Sequence, residues 1–523
     1  MALIEDLLLS KSVTTVSAIV AVVYFIGRSL EANVDAEEPP AIRSHIPFIG
    51  NLIRSIREQS AFLTNLGKEH RLPIATIPIL KEKLYAIWDP ILVQSAYCSK
   101  DLSFIPFAVD NVRSVTGYDD FSHGIVSTTD ILPTYFKSIY EGTTAKHIHQ
   151  LNITSLKHVS QHINAIGKDG FDAPNIYLWL RNLMTVATCE ALFGPRNPIR
   201  SDELVEDVWT FETGLPVLFL RLLPSKLLRD TLAARRRLQL ALGEYCESIK
   251  DDDADVSAYI SNRVRILRQY GIEGQRVGDI EVALIHVPTS NSIPTLFWFF
   301  IYIFTLPDLV LRLRAEVEPF AERGPAGDND VTINVDNLTE RCPLLMSTYR
   351  EVSRICNHFT CNRRVIKDTT ITDGQGRSYV LKKGAAIQMP SYPLHSLGAA
   401  WGTDVEEFRP ERFMDTGLTS EEAKLRRAAH TPFGGGAHMC PGRNFATAEI
   451  VGFVAAMLIG YHVEPADGNW DTFKPPPMAQ CPMATAVCKP ENEGSVFGTR
   501  VTRRSGWETA QWKFTSKSER RND

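Results

Sequence analysis

The sequence predicts an α+β protein that is mostly helical, with small β-sheets and an apolar segment near its amino terminus. Three observations carry this reading. Apolar or amphipathic helical patterns run through 279–304, 344–355 and 444–460. Short β-branched, partly alternating stretches occupy 72–78 and 83–88. One cysteine, Cys440, ends a glycine-rich loop at the mouth of the last long helix. Of 523 residues, 44% are hydrophobic and 22% charged, which is ordinary globular composition with ample length for a core. The net charge of −5 gives no pointer to nucleic acid. The nine cysteines are scattered and lack paired metal-site spacing, which predicts a reducing compartment without a disulfide framework.

The loop reads Phe433-Gly434-Gly435-Gly436-Ala437-His438-Met439-Cys440-Pro441-Gly442-Arg443. Consecutive glycines let backbone approach a flat ligand closely. A helix N-terminus aimed at sulfur stabilises a thiolate, and a thiolate suits haem iron as proximal ligand. A buried free cysteine beside a glycine turn is the plain alternative. The pattern Phe-x-x-Gly-x-(basic)-x-Cys-x-Gly resembles the haem-binding signature of the cytochrome P450 family, with His438 where the family usually has arginine. The resemblance implies one large helical domain where length alone suggests about three. It implies haem b, ligated through iron by Cys440, with Phe433, Gly434 and His438 around it.

The other elements follow in chain order. The stretch 13–30 is apolar enough to cross a bilayer, and Glu5 and Asp6 before it argue for a signal anchor rather than a cleaved signal peptide. Arg28 and Arg43 beyond it place the bulk of the chain in the cytosol, although Lys11 counts the other way. The expected organisation is a luminal 1–12, a transmembrane helix 13–30, a Pro-containing linker 31–50 and a catalytic domain 51–523. Asn152 and Asn337 match the glycosylation pattern and are read as chance. The stretch 103–124 is aromatic and poorly periodic, as expected of a loop-rich pocket wall. Lys146 and His147 are candidate propionate donors by position in the family, with a solvated helix face as the alternative. Leu215 to Pro224 reads as core packing, or by resemblance as a cover over substrate access. Arg235-Arg236-Arg237 reads as a solvated basic face.

Pro288 and Pro294 interrupt the helical pattern around Thr289-Ser290-Asn291-Ser292. Most members of the family carry an acid and a threonine there. Here Ser290 and Asn291 take those places, which resembles the branch of cholesterol hydroxylase and prostacyclin synthase. The resemblance makes Asn291, Ser290 and Thr289 the candidate catalytic residues. Asn291 can orient a ligand by hydrogen bonds but relays protons poorly. Alternatively, the hydroxyls only satisfy carbonyls that the prolines free.

Glu351 and Arg354 share a helix face. With Arg412 in Phe408-Arg409-Pro410-Glu411-Arg412-Phe413 they resemble the family's buried Glu–Arg–Arg network. Arg363 matches its propionate-binding arginine, with Arg364 as a rival one residue away. Residues 358–362 and 478–481 line the pocket by analogy. The implied activity is a membrane-bound haem-thiolate monooxygenase of a lipophilic terpenoid, steroid or polyketide in secondary metabolism. Its implied partners are O2, the endoplasmic reticulum membrane and NADPH–cytochrome P450 reductase, with cytochrome b5 as an optional second donor. The alternatives are a peroxide isomerase or dehydratase and a non-enzymatic haem-binding protein.

Overall fold

The computed structural model describes residues 21–220, 225–250, 253–325, 327–468, 470, 486–494 and 497–516. The expectations placed on 13–20, on Arg221 to Pro224, on Met478 to Cys481 and on the tail from 517 lie outside the described residues.

Helices dominate, and a buried layer of them forms the centre of the molecule. The proximal helix, Arg443–Gly460, is apolar on every side because it is enclosed: every residue from Ala448 to Gly460 is buried. It packs against the helix Ala145–Asn164 and against Ser292–Phe304, whose Phe297, Phe299, Phe300 and Ile301 are fully buried. Among the described residues it is the one helix long and apolar enough to span a bilayer, and its burial makes it a core helix.

The principal sheet has five strands in the order Ile74–Ile79, Glu82–Ile87, Ala386–Pro390, Thr360–Val365, Leu102–Ser103. The first two form a hairpin with Ile77 opposite Leu84, and Ala386–Pro390 lies parallel to the second strand. Gly384, at φ 88°, supplies the left-handed residue between Ser378–Leu381 and Ala386–Pro390.

Several expectations need correction. The stretch 103–124 is helical over Ile105–Thr116 and opens a second helix at Asp120, not a loop wall. Pro106 starts the first helix and Gly117, left-handed at φ 66°, ends it. Asp119 caps the second by accepting the N–H of Ser122. The Pro-containing segment 31–50 is docked on the catalytic domain. Glu38 is buried and bonds Lys83 and Tyr85, and Thr76 donates to the carbonyl of Pro39. The arginine cluster is solvated at exposed Arg236 and Arg237, which pair with Asp279 and Asp207, while half-buried Arg235 donates to the carbonyl of Val115. Cys488 is disulfide-bonded, and the other seven cysteines among the described residues are free, in keeping with the absence of a disulfide framework. Asn152 is buried in mid-helix, where no glycan fits.

Helix Ala21–Leu30 presents Val22, Val23, Phe25 and Ile26 to the outside. Arg28 and Arg43 both pair with Glu31.

Candidate active site

The cysteine loop is shaped by two close approaches. A Cβ on Gly435 would meet the ring of Tyr97 at 2.2 Å, and one on Gly436 would meet the Tyr97 carbonyl oxygen at 2.1 Å. Gly434 and Gly436 are left-handed, at φ 68° and 66°. The turn closes when Cys440 N–H donates to the Phe433 carbonyl at 3.0 Å. Cys440 stands two residues before Gly442, the N-cap of the proximal helix. Burial holds its thiol above the ordinary cysteine value, and the Gly442 N–H, the Arg443 charge and the Arg443 N–H offset only part of that rise.

Behind the loop, Arg354 binds both oxygens of Glu351 at 2.8 Å. Arg412 adds a third bond to Glu351 at 2.8 Å and reaches the Trp401 carbonyl at 2.7 Å. All three side chains are at most 2% exposed. Arg354 uses its remaining donors on the carbonyls of His395 and Glu407, and Arg412 adds the Asp404 carboxylate at 2.9 Å, so the three buried charges are paired and hydrogen-bonded.

The front of the loop faces a cavity of about 370 Å³. Cys440, Gly434, Phe433 and Ala446 line one side of it, and Val287, Pro288, Asn291 and Thr295 another. The distal helix Gln275–Thr289 ends at Ser290, and Asn291 caps the next helix, so the interruption falls where the two prolines put it. Asn291 Oδ1 accepts the N–H of Ala486 at 3.2 Å. Thr289 and Ser290 are buried and do not line the cavity. Thr289 Oγ1 donates to the Ile285 carbonyl at 2.7 Å, and Ser292 Oγ to that of Pro288 at 2.5 Å. These hydroxyls bond carbonyls at the two helix ends, not the Leu284 and Ser290 carbonyls that the prolines leave without an N–H.

Known proteins place this geometry. A cytochrome P450 family model matches residues 288–489. A cytochrome P450 monooxygenase of Gibberella zeae is 63% identical, covering 98% of both chains. The chain belongs to the cytochrome P450 family. Human 7-alpha-hydroxycholest-4-en-3-one 12-alpha-hydroxylase, 20% identical over 82% of this chain and 87% of its own length, fits the cholesterol-hydroxylase branch. A crystal structure of a cytochrome P450 shares the fold, with a TM-score of 0.65 at 17% identity, covering 90% of this chain and all of that one. This cytochrome P450 is a monooxygenase, and its family implies haem, dioxygen, a redox partner and a lipophilic substrate.

The residues of this P450 fit a haem. Arg363 lines the cavity, is 4% exposed, and has no carboxylate partner among the described residues. Its guanidinium donates only to the Cys361 sulfur at 3.1 Å and to the carbonyls of Asn362 and Gly435. A buried cation without a counter-ion suits a propionate. Arg364 points elsewhere, donating to the Gly384 carbonyl. His438 lines the cavity, but burial, then Arg363, lower its pKa and favour the neutral ring. Lys146 and His147 do not line the cavity; Ile148 and Leu151 from the same helix do. His147 instead bonds Thr144 and the Glu141 carbonyl.

Of 358–362, Phe359, Cys361 and Asn362 face the cavity. The sequence reading missed Tyr97, Ala486 and Val487. Tyr97 could have been found only through the glycines it displaces. Ala486 and Val487 lie a few residues beyond the stretch expected to line the pocket.

Proposed function

We propose that this P450 is a membrane-anchored haem-thiolate monooxygenase in which Cys440 ligates the iron of haem b. One observation carries the reading: a half-buried cysteine, with two helix N–H groups on its sulfur, faces an apolar cavity whose opposite wall is a proline-broken helix. Bound there, the haem would activate dioxygen with two electrons and oxidise a C–H bond.

The chain's own residues then have defined tasks. Phe433 and Gly434 give the loop its flat approach. Arg363 would hold a propionate, and the neutral His438 ring would donate an N–H to a propionate. Asn291 would offer its amide N–H groups to a ligand in the cavity. Val287, Pro288 and Thr295 exclude water and orient the substrate.

The electron source is NADPH through a separate reductase, with cytochrome b5 as an optional second donor, since the chain carries no flavin or nicotinamide fingerprint. The exposed apolar helix that ends at Leu30 supports a single-pass anchor in the endoplasmic reticulum with the catalytic domain in the cytosol. The substrate class is a terpenoid, steroid or polyketide of fungal secondary metabolism. The test is a mass comparison of metabolites with and without the gene. A missing product one oxygen heavier than the accumulated precursor supports the monooxygenase reading.

A peroxide isomerase is the second reading. It is favoured by the amide at Asn291 and by the withdrawal of Thr289 and Ser290 from the cavity. Turnover without NADPH, with precursor and product of equal mass, selects it.

A further inference from the structure

The imidazole of His395 stands between the Glu351 network and the cysteine loop. On the network side, its backbone carbonyl accepts Arg354 Nη1 at 2.7 Å. On the loop side, its ring Nε2 accepts the N–H of Thr431 at 3.1 Å. His395 ends the short helix Ser391–His395, and the first residue of that helix holds the same target. Ser391 Oγ lies 3.4 Å from the Thr431 carbonyl and 3.3 Å from its hydroxyl. The Thr431 carbonyl also accepts the N–H of Gly434 at 3.1 Å, inside the loop itself. Ser391, His395 and Thr431 are at most 2% exposed. A backbone N–H in so dry a place costs about 1–3 kcal/mol when it loses its acceptor. Only an unprotonated ring nitrogen can accept. Burial keeps the ring neutral, and the neighbouring His430 and Arg354 act in the same direction.

We propose that His395 is a positioning residue for Cys440: it carries the geometry of the Glu351–Arg354–Arg412 network into the cysteine loop through Thr431. The inference rests on Cys440 being the haem ligand. It goes beyond the network because neither arginine touches the loop backbone from Thr431 to Cys440 in any of its hydrogen bonds.

The test uses the full-length protein and five forms: wild type, His395→Leu, His395→Gln, His395→Asn and His430→Leu. Glutamine places an oxygen near the Nε2 position and accepts the same N–H. Asparagine is polar but one methylene too short. The His430 ring lies tilted at 38° to that of His395, 5.7 Å away, and its Nε2 bonds nothing among the described residues, so His430→Leu removes bulk without removing the His395–Thr431 bond. Two quantities are read: haem per protein, and the ratio of thiolate-type to thiol-type Soret band in the reduced carbonyl complex.

His395→Leu and His395→Asn are expected to lower that ratio roughly tenfold, the size of one lost buried hydrogen bond. His395→Gln and His430→Leu should match wild type. If leucine does not yield folded protein, the comparison of asparagine with glutamine decides alone. Equal ratios in those two variants overturn the inference, as does His430→Leu shifting as far as His395→Leu. Absence of the thiolate-type band in wild type overturns the haem-thiolate reading itself and this inference with it.

Discussion

The side-chain oxygen of Asn291 accepts the backbone N–H of Ala486 at 3.2 Å. That bond ties the break in the distal helix to the segment 486–488, whose Cys488 carbonyl is held in turn by Trp298 Nε1 at 2.7 Å. It also assigns the amide. With Oδ1 spent on Ala486, the NH2 group is the half of Asn291 left for the cavity. Asn357 and Asn362 line the same cavity, yet both use their NH2 groups on carbonyls, of Pro432 and Thr360. This supports the proposal that Asn291 acts on the cavity as a donor.

Asn291→Asp tests this directly. The carboxylate still accepts from Ala486 but offers no donor to the cavity. Product formed per NADPH oxidised should fall about 100-fold, the scale of losing one oriented donor, while haem content stays at the wild-type level. Unchanged product yield would remove the donor role.

Glu351 receives three charge-assisted bonds from two arginines and is fully buried. Glu351→Ala leaves buried Arg354 without a carboxylate and Arg412 with Asp404 alone. Breaking such a buried pair costs about 3–5 kcal/mol, and the purified variant should contain no haem. Haem content by absorbance is the measurement, and normal content would sink the assignment.

The elements legible in the sequence are those where a local rule and a packing demand agree. The proximal helix was visible because its run from Ile450 to Gly460 carries no polar or charged side chain. The distal break was visible because proline cannot donate. The Glu351 network was visible only through three fragments in order, since Glu351 and Arg354 alone look like any surface pair. What was not legible depended on partners far along the chain. Ile105–Thr116 has apolar groups on more than one face, so its period is blurred, and only its caps betray it. The place of Thr289 and Ser290 outside the cavity is set by rotation about a broken helix, which a linear pattern does not encode. The role of His395 needs Thr431, 36 residues away.

Acid should destabilise the protein through His358 and His430, half-buried residues that each keep a ring nitrogen out of solvent. Burial holds His358 down to about 4 and His430 to about 3. In the unfolded chain both titrate near ~6.5, so the unfolded state takes up these protons first. Their stabilising effect is complete above that value and is lost as pH falls toward the folded pKa values. Each ring contributes a slope that approaches about 1.4 kcal/mol per pH unit within that window. Urea midpoints measured at neutral pH and near pH ~5 should show the drop, and His430→Phe should make it shallower. A midpoint independent of pH across this range would contradict the burial of both rings.

The three loop glycines should respond differently to alanine, because different atoms crowd them. At Gly435 the obstacle is the ring of Tyr97, 2.2 Å from the added methyl, and the backbone there is extended at φ −169°. Removing the ring should therefore restore room, so Gly435→Ala should lose haem and Gly435→Ala with Tyr97→Leu should regain part of it. At Gly436 the obstacle is the Tyr97 carbonyl oxygen at 2.1 Å, and φ is 66°. No side-chain change removes a carbonyl, and the left-handed backbone adds about 1–2 kcal/mol of strain to any L-residue. Gly436→Ala should fail with or without Tyr97→Leu. At Gly434 the nearest atoms are 3.8 Å away, so only the strain of φ 68° remains and haem retention should be intermediate. Haem content across the five variants gives the ranking. Rescue of Gly436→Ala by Tyr97→Leu would show that the loop is shaped by the tyrosine ring alone and not by the backbone of the helix that carries it.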